Sequence, residues 1–367
     1  MIPVAFPSAS FYLMLVLSFV AGLVLVGWWC VLALSRRARG AFGRHPMLWG
    51  LCMAVLAALA AFDVWLYLGY REIERDIAQR QAAKRFVLGE AMTLGGIRLP
   101  AGTRLELDQA DQPATFVRAE LPEAAVIAGV TTTSIQRQVR RDYDDAYEVR
   151  RVRAEEVTLV GPGDQVADGW RCDATAGIQF HAGADEAPAA LYQCTLAGGN
   201  LLDGRELPAA ARLLATGGTV YIGGYRADDR WRVDLSTGRA IELRGLLIDG
   251  PSIYLDAGRQ LVRVESGELV CPLDLGGIAY PAGTRVRSAG RDGSDTQAWV
   301  FSPREDAPAR RAGQGEITVG TSVVQRADGE VLALRRNDEV GVMEFMTLVV
   351  EGAPPPPTRS VCPAGQH

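Results

Sequence analysis

Two apolar runs near the N-terminus constrain this chain more than any other feature. Phe11 to Leu34 reads FYLMLVLSFVAGLVLVGWWCVLAL, 24 residues without a charge. At roughly 1.5 Å of helical rise per residue, such a run exceeds the ~30 Å of bilayer hydrocarbon. Met47 to Tyr70 is a second such run, interrupted only by Asp63. Aromatic residues stand at the rims of both: Phe11, Tyr12, Trp28, Trp29 and Trp49, then Trp65, Tyr67 and Tyr70. The first run is too long for a cleaved signal peptide, and no basic residue precedes it. The expectation is a transmembrane helical hairpin over residues 11–70, entering the bilayer through 11–34 and 47–70, with residues 1–10 as a short outer tail.

The connecting segment carries Arg36, Arg37, Arg39 and Arg44, whereas the tail before Phe11 carries no positive side chain. The positive-inside rule then places the loop in the cytoplasm and both ends outside. Arg71, Arg75, Arg80, Lys84 and Arg85 follow the second run and weigh against that orientation. Ala54, Ala57, Ala58 and Ala61 have small-xxx-small spacing, suited to pairing with Ser18 and Gly22 or to dimerisation. Asp63 either reaches the interface, caps its own hairpin or meets a partner inside the membrane.

Residues 71–86, REIERDIAQRQAAKRF, have helix-forming composition, with Asp76 and Arg80 at i,i+4 spacing, and read as a helical stalk. From residue 87 to 350 the text becomes short alternating runs bounded by Gly, Asp and Pro, a β signature. Its most specific feature is an internal repeat. Leu94–Arg104, LGGIRLPAGTR, and Leu275–Arg285, LGGIAYPAGTR, agree at nine of eleven positions, and Leu202–Arg212, LDGRELPAAAR, is a worn copy. Weaker echoes surround Gly129, Gly169, Gly250 and Gly320, at an irregular spacing of roughly 35 to 40 residues. The paired glycines permit a turn at positive φ, Pro100 and Pro281 preset the next turn, and Leu105 and Leu107 alternate with Arg104 and Glu106. Each unit reads as strand, tight turn and returning strand. One unit cannot bury its apolar face, so neighbours must stack into an extended antiparallel meander or solenoid.

The pattern G-x-x-L-P-A-G-T followed by an alternating strand resembles the MORN-like (YwqK-type) β-hairpin repeat proteins, from roughly Gly89 to Leu334. That resemblance implies a bacterial binding protein, in several cases an antitoxin or immunity protein, and transfers no catalytic residue.

Residues 135–159 interrupt the repeats as a charged hairpin tipped by Asp142, Tyr143, Asp144 and Asp145. It is either a solvated hairpin or a partner-binding arm, in which Tyr143 and Tyr147 give contact area and the acids give selectivity. A smaller projection is read over Thr219–Leu235, with Tyr221, Tyr225 and Trp231 around Asp228-Asp229, aromatics that are more often core than binding anchors. Cys30 and Cys52 fall in the apolar runs. Cys172, Cys194, Cys271 and Cys362 are disulfide candidates with three pairings, of which Cys172 with Cys194 is favoured because they flank one repeat. Residues 351–367 form a Pro-rich tail, expected to be extended or disordered.

The formal charge of −5 argues against nucleic acid, and the only histidines, His45, His181 and His367, are far apart. Neither a metal nor a cofactor is expected. No G-x-S-x-G, P-loop or H-E-x-x-H occurs, and carboxylate pairs such as Glu155-Glu156 and Asp228-Asp229 stand out in no way, so the chain does not read as an enzyme. The expected function is a two-pass bacterial inner-membrane protein with its bulk in the periplasm. There it would bind a protein partner, a secreted toxin or an envelope protein. The alternative is a structural subunit of an envelope or secretion assembly.

Overall fold

The computed structural model describes residues 9–35, 46–218, 220, 224, 226, 228–290, 297–342 and 358–363. Arg36, Arg37, Arg39, Arg44, His45, Tyr221, Tyr225, the proline run 354–357 and His367 lie outside the described residues. The chain divides into two compact units, Met1–Arg85 and Phe86–His367.

The first unit consists of two helices, α1 (Ala9–Leu34) and α2 (Pro46–Ala83). Helix α2 runs without a break from the apolar run through the charged segment, where Arg80 and Asp76 pair at 2.6 Å. Ser18 is buried on α1 and its hydroxyl donates to the Leu59 carbonyl at 2.7 Å. One turn on, a Cβ at Gly22 would lie 3.8 Å from that of Ala60, and Trp28 meets Trp49 edge-on at 4.8 Å. The half-buried face of α2 is Met53, Leu56 and Ala60, whereas Ala54, Ala57, Ala58 and Ala61 are exposed. This corrects the pairing of that stripe with Ser18 and Gly22 and leaves it on the outer face of the hairpin. The apolar side chains otherwise point outward, with Leu13, Val26 and Leu51 each more than 60% exposed. Both helices are long and apolar enough to cross a membrane.

The second unit is mainly antiparallel β. Its principal sheet has 16 strands, nearly all in chain order. It opens with β1 (Arg85–Val87), leaves for the side hairpin β2 (Met92–Leu94) and β3 (Ile97–Leu99), and returns as β4 (Arg104–Leu107). Three long strands follow: β5 (Phe116–Ile127), β6 (Val130–Tyr143) and β7 (Val149–Val160). A second side hairpin, β8 (Asp164–Ala167) and β9 (Trp170–Asp173), precedes β10 (Ile178–Ala182) and β11 (Pro188–Thr195). The worn repeat supplies the third, β12 (Leu201–Leu202) and β13 (Arg205–Glu206), before β14 (Arg212–Ala215) and β15 (Trp231–Asp234). Strand β16 (Ala240–Leu243) pairs only with β17 (Leu246–Leu255), which pairs with β18 (Leu261–Leu269). The second sharp repeat forms β19 (Leu273–Leu275) and β20 (Ile278–Tyr280), then β21 (Arg285–Ser288) and β22 (Ala298–Ser302) rejoin the sheet. A last side hairpin, β23 (Arg310–Arg311) and β24 (Gly315–Glu316), adds to β19–β20 and leads to β25 (Thr321–Arg326) and β26 (Val331–Arg336).

The repeat hairpins are therefore not rungs of the meander, as their strand-turn-strand text suggested, but side pieces inserted between its rungs, β2–β3 and β12–β13 as two-stranded sheets and β19–β20 within a four-stranded one. The local bonding explains the motif. Leu88 N donates to Thr103 O at 3.0 Å and Gly102 N to Leu88 O at 2.7 Å. The same pair recurs as Leu269 with Thr284 and Gly283, at 2.9 and 2.8 Å, and as Leu196 with Ala211 and Ala210, both at 2.8 Å. In the sharp copies the threonine hydroxyl also closes the turn on the proline carbonyl, Thr103 on Pro100 and Thr284 on Pro281, at 2.7 and 2.8 Å. The worn copy, with Ala211, lacks that hydroxyl but keeps the backbone pair.

Strands β4, β10, β14, β21 and β25 occupy alternate places in the antiparallel order and so share one direction. All five side hairpins consequently leave the sheet at the same end. They fold back across it, and the tips of three of them meet loops at the opposite end. A Cβ on Gly96, at the β2–β3 tip, would come 2.9 Å from the Asp185 carbonyl, in the β10–β11 loop. At the β8–β9 tip, Arg259 of the β17–β18 loop stacks 4.3 Å over Trp170. At the β19–β20 tip, a Cβ on Gly276 would collide with the Gly329 carbonyl in the β25–β26 turn. From β4 to β10 and from β10 to β17 is four steps along the order, and from β21 to β25 two. The sheet must coil for one hairpin to touch both places, as wide twisted sheets do. The core lies between the two layers: Leu99, Leu107, Phe116, Ile135, Trp170, Ile178, Tyr280, Trp299 and Phe301 are buried there.

Candidate functional site

At the end of the sheet away from the side hairpins, β6 and β7 continue beyond their neighbours as an arm. Their register runs from Ser134–Val160 to Tyr143–Val149, with bulges after Gln138 and Asp142. The sequence singled out Asp142, Tyr143, Asp144, Asp145 and Tyr147 here, and the structure gathers them at the tip, with different jobs. Asp144 builds the turn: its Oδ1 accepts from Ala146 N at 2.9 Å and Glu148 N at 2.8 Å, and its carbonyl accepts from Tyr147 N at 3.0 Å. Side chain-to-backbone bonds of this kind are why Asp is favoured in turns. Asp142 lies between Arg140, at 3.5 Å, and Arg153, at 3.8 Å. What the tip presents is therefore aromatic as much as acidic: Tyr147, at φ +60°, is 87% exposed and Tyr143 55% exposed, with Asp145 between them.

The root of the arm is held by a buried charge. Arg137 of β6 donates to the carbonyls of Ala114 at 3.1 Å and Phe116 at 3.4 Å, and its guanidinium lies 4.4 Å over the Phe116 ring. It pairs with Glu186 of the β10–β11 loop, which also accepts from Ala154 N at 3.1 Å. Burial pulls the Arg137 pKa down from its ordinary value, and Glu186 opposes that pull. Four residues on, Arg141 pairs with Asp108, a hydrogen bond that raises the arginine further above its usual range. One pairing ties β6 to β7 and a loop beyond it, and the other ties β6 to the β4–β5 loop. Sequence reasoning missed both, since the partners lie 49 and 33 residues apart with no local signal.

The four outer cysteines form two disulfides. Cys172 of β9 is joined to Cys194 of β11, with Cα atoms 5.9 Å apart, and fastens a side hairpin to the sheet. Cys271 is joined to Cys362, at 4.9 Å, and fastens the C-terminal segment. Cys30 and Cys52 are free. Arg359 of this segment borders a cleft of about 550 Å³ on β17, β18, β21 and β22, with Asp249, Glu265, Glu268, Arg285 and Arg287 among its lining.

Among the described residues no group of three or more His, Cys, Asp or Glu side chains could hold a metal ion. His181 stacks on Tyr192 at 4.5 Å. The carboxylate pairs noted in the sequence are engaged elsewhere. Glu155 bonds Arg140 at 3.3 Å, Glu156 bonds Gln179, and Asp229 is buried beside Arg263 at 3.6 Å. Trp231, in the segment read as a small projection, takes the core role: it is a buried residue of β15 that meets Trp170 edge-on at 5.8 Å. No family model, curated protein or solved structure matches the chain.

Proposed function

We propose that this chain is a two-pass membrane protein whose β unit stands in an oxidising compartment, the periplasm of a bacterial envelope, and binds a protein partner through the β6–β7 arm. The observation that carries the reading is the division of polarity and sulfur between the units. The helices turn large apolar side chains outward, a surface that water does not tolerate and lipid does. The β unit holds two disulfides, which persist where thiols are not kept reduced, and the helices hold the two free cysteines. The arm supports the binding half of the reading. Two exposed tyrosines stand on a tip whose turn is closed by Asp144 and whose root is fixed by Arg137. Little conformational freedom is then lost on association. Tyrosine is also among the residue types that dominate interface energetics. The likeness to hairpin repeat antitoxins directs the choice of partner toward a secreted antibacterial toxin, with immunity as the outcome.

Co-purification of the full chain from membranes, followed by identification of the bound protein, tests the proposal. A partner retained by the native chain and lost from a Tyr143→Ala/Tyr147→Ala variant is expected. A partner retained equally by both removes the arm from the reading. Thiol labelling from the outer side of intact membranes tests the topology, and labelling of the reduced β unit only from the cytoplasmic side would overturn it.

A further inference from the structure

The C-terminal segment is attached to the β unit in a way that sets its disulfide apart from the other. The cleft it borders opens where β17 and β18 are irregular. Their pairing breaks between Asp249 and Ser252, and a Cβ on Gly267 would collide with Ile248. Bulges of this kind re-aim side chains and recur beside binding sites. Here they turn three acids, Asp249, Glu265 and Glu268, to the cleft. Asp249 is buried at 5% exposure and accepts from Gly238 N at 3.0 Å and from the Ser360 hydroxyl at 2.5 Å. Arg359 pairs with Glu268 at 3.1 Å. The Thr358 carbonyl sits so close to Gly238 that a Cβ there would approach it to 2.6 Å. The segment thus lies as an extended peptide whose arginine and following hydroxyl are read by two acids of the cleft.

Thr358, Arg359, Val361 and Pro363 are exposed, and a surface ion pair with one hydroxyl bond binds weakly on its own. The Cys271–Cys362 bond supplies the rest by keeping the segment at high effective concentration. Both of its sulfurs belong to half-buried residues, whereas Cys172 and Cys194 are 0% and 4% exposed. Thiol–disulfide exchange requires access of the attacking thiolate, so the two bonds differ in reactivity by construction.

We propose that residues 358–363 are a thiol-releasable strap whose Arg359 enters a peptide-binding cleft of mixed charge, where Asp249 and Glu268 face the strap beside Arg285 and Arg287, and that the opened cleft accepts an extended segment of another protein bearing an arginine followed by a hydroxyl residue. A dithiol reductant opens it. One thiolate of the reductant attacks the Cys271–Cys362 bond to give a mixed disulfide, and its second thiol then displaces the protein sulfur. The dithiol leaves as a cyclic disulfide, having given two electrons and two protons, and the protein keeps two thiols. This site is separate from the arm and stands whether or not the arm binds a partner.

The full chain in detergent micelles serves for the test. Graded dithiothreitol followed by alkylation and peptide mapping should label Cys271 and Cys362 at a reductant concentration at least tenfold below that needed for Cys172 and Cys194. A labelled peptide TRSVSP, the strap sequence with serine in place of Cys362, should then bind the opened chain at least tenfold more tightly than the oxidised one. A Cys362→Ser variant, which needs no reductant, should bind it likewise, and adding Asp249→Asn or Glu268→Gln should abolish that binding while the circular dichroism is unchanged. Simultaneous reduction of both disulfides overturns the strap. Equal binding to closed and opened chain, or binding to neither, overturns the cleft.

Discussion

The two units satisfy their backbones in opposite ways, and the contrast shows what each requires of its surroundings. In α1 and α2 every backbone bond is local, so side chains are free to face outward, and the apolar ones do. Leu34 is 87% exposed and Leu51 65%. In the β unit the strand backbones are satisfied chiefly by neighbouring strands, and the apolar side chains are spent on the interior, with Phe116, Ile135 and Phe301 fully buried. The helical unit is completed by its solvent and the β unit by itself. Their stabilities should therefore respond to different perturbations.

The largest expected effect follows from emptying the β core. Trp170→Ala should cost about 4 kcal/mol, measured by denaturant unfolding of the β unit, because it removes a fully buried ring that touches Trp231. On the proposed two-pass reading, carbonate extraction of this variant should still leave the chain in the membrane. Joint loss of folding and retention would break the distinction between the units. Next, replacing Cys172 and Cys194 together by serine should cost about 3 kcal/mol through the entropy of the loop they close, which spans 22 residues. Again the readout is unfolding of the β unit, with helix pairing unchanged. Ser18→Ala addresses the other unit. Losing its bond to the Leu59 carbonyl should weaken helix pairing by about 0.6 kcal/mol, read as increased energy-transfer distance between labels on α1 and α2. An effect on β-unit unfolding would contradict the comparison. The smallest effect concerns acid. The Thr175 hydroxyl donates to Asp173 at 2.5 Å and holds its carboxyl below the usual Asp value. A carboxylate whose folded pKa is depressed stabilises above its unfolded pKa, and that contribution is lost as pH falls through the folded one. Asp173→Asn should flatten the acid limb of β-unit stability slightly, seen in melting temperature between neutral pH and pH ~3.

Local features of this fold were legible in the text, and long-range ones were not. The apolar runs, the Asp76–Arg80 pair and the alternation Arg104-Leu105-Glu106-Leu107 depend on residues within a turn or a strand, and the structure has them as read. The repeat LGGIRLPAGTR also declared its hairpin, because Gly95-Gly96 and Pro100 act within four residues of themselves. Where that hairpin goes was not legible. Whether it joins the meander or folds over it depends on Gly96 meeting Asp185, and no pattern around either residue announces the other. The acidic tip was legible as composition but not as chemistry. Asp144 and Asp145 look alike in sequence, and only the closed turn shows that one is spent on backbone amides while the other faces water. The alanine stripe of α2 was misplaced for a related reason. Spacing identifies a face that could pack, and it carries no sign of the bond between the Ser18 hydroxyl and the Leu59 carbonyl where the helices meet.

The stagger of the side hairpins has a consequence for how such a protein can change length. In a solenoid each repeat touches only the next, so copies can be added or removed singly. Here the β2–β3 tip reaches the loop after β10, and the β8–β9 tip reaches the loop after β17. Excising β10 to β13 would seat Gly96 against a loop never shaped for it, although every strand left behind would still find an antiparallel neighbour. The β unit is laid like overlapping courses of brick, and it can be shortened only by removing whole bonds of the pattern.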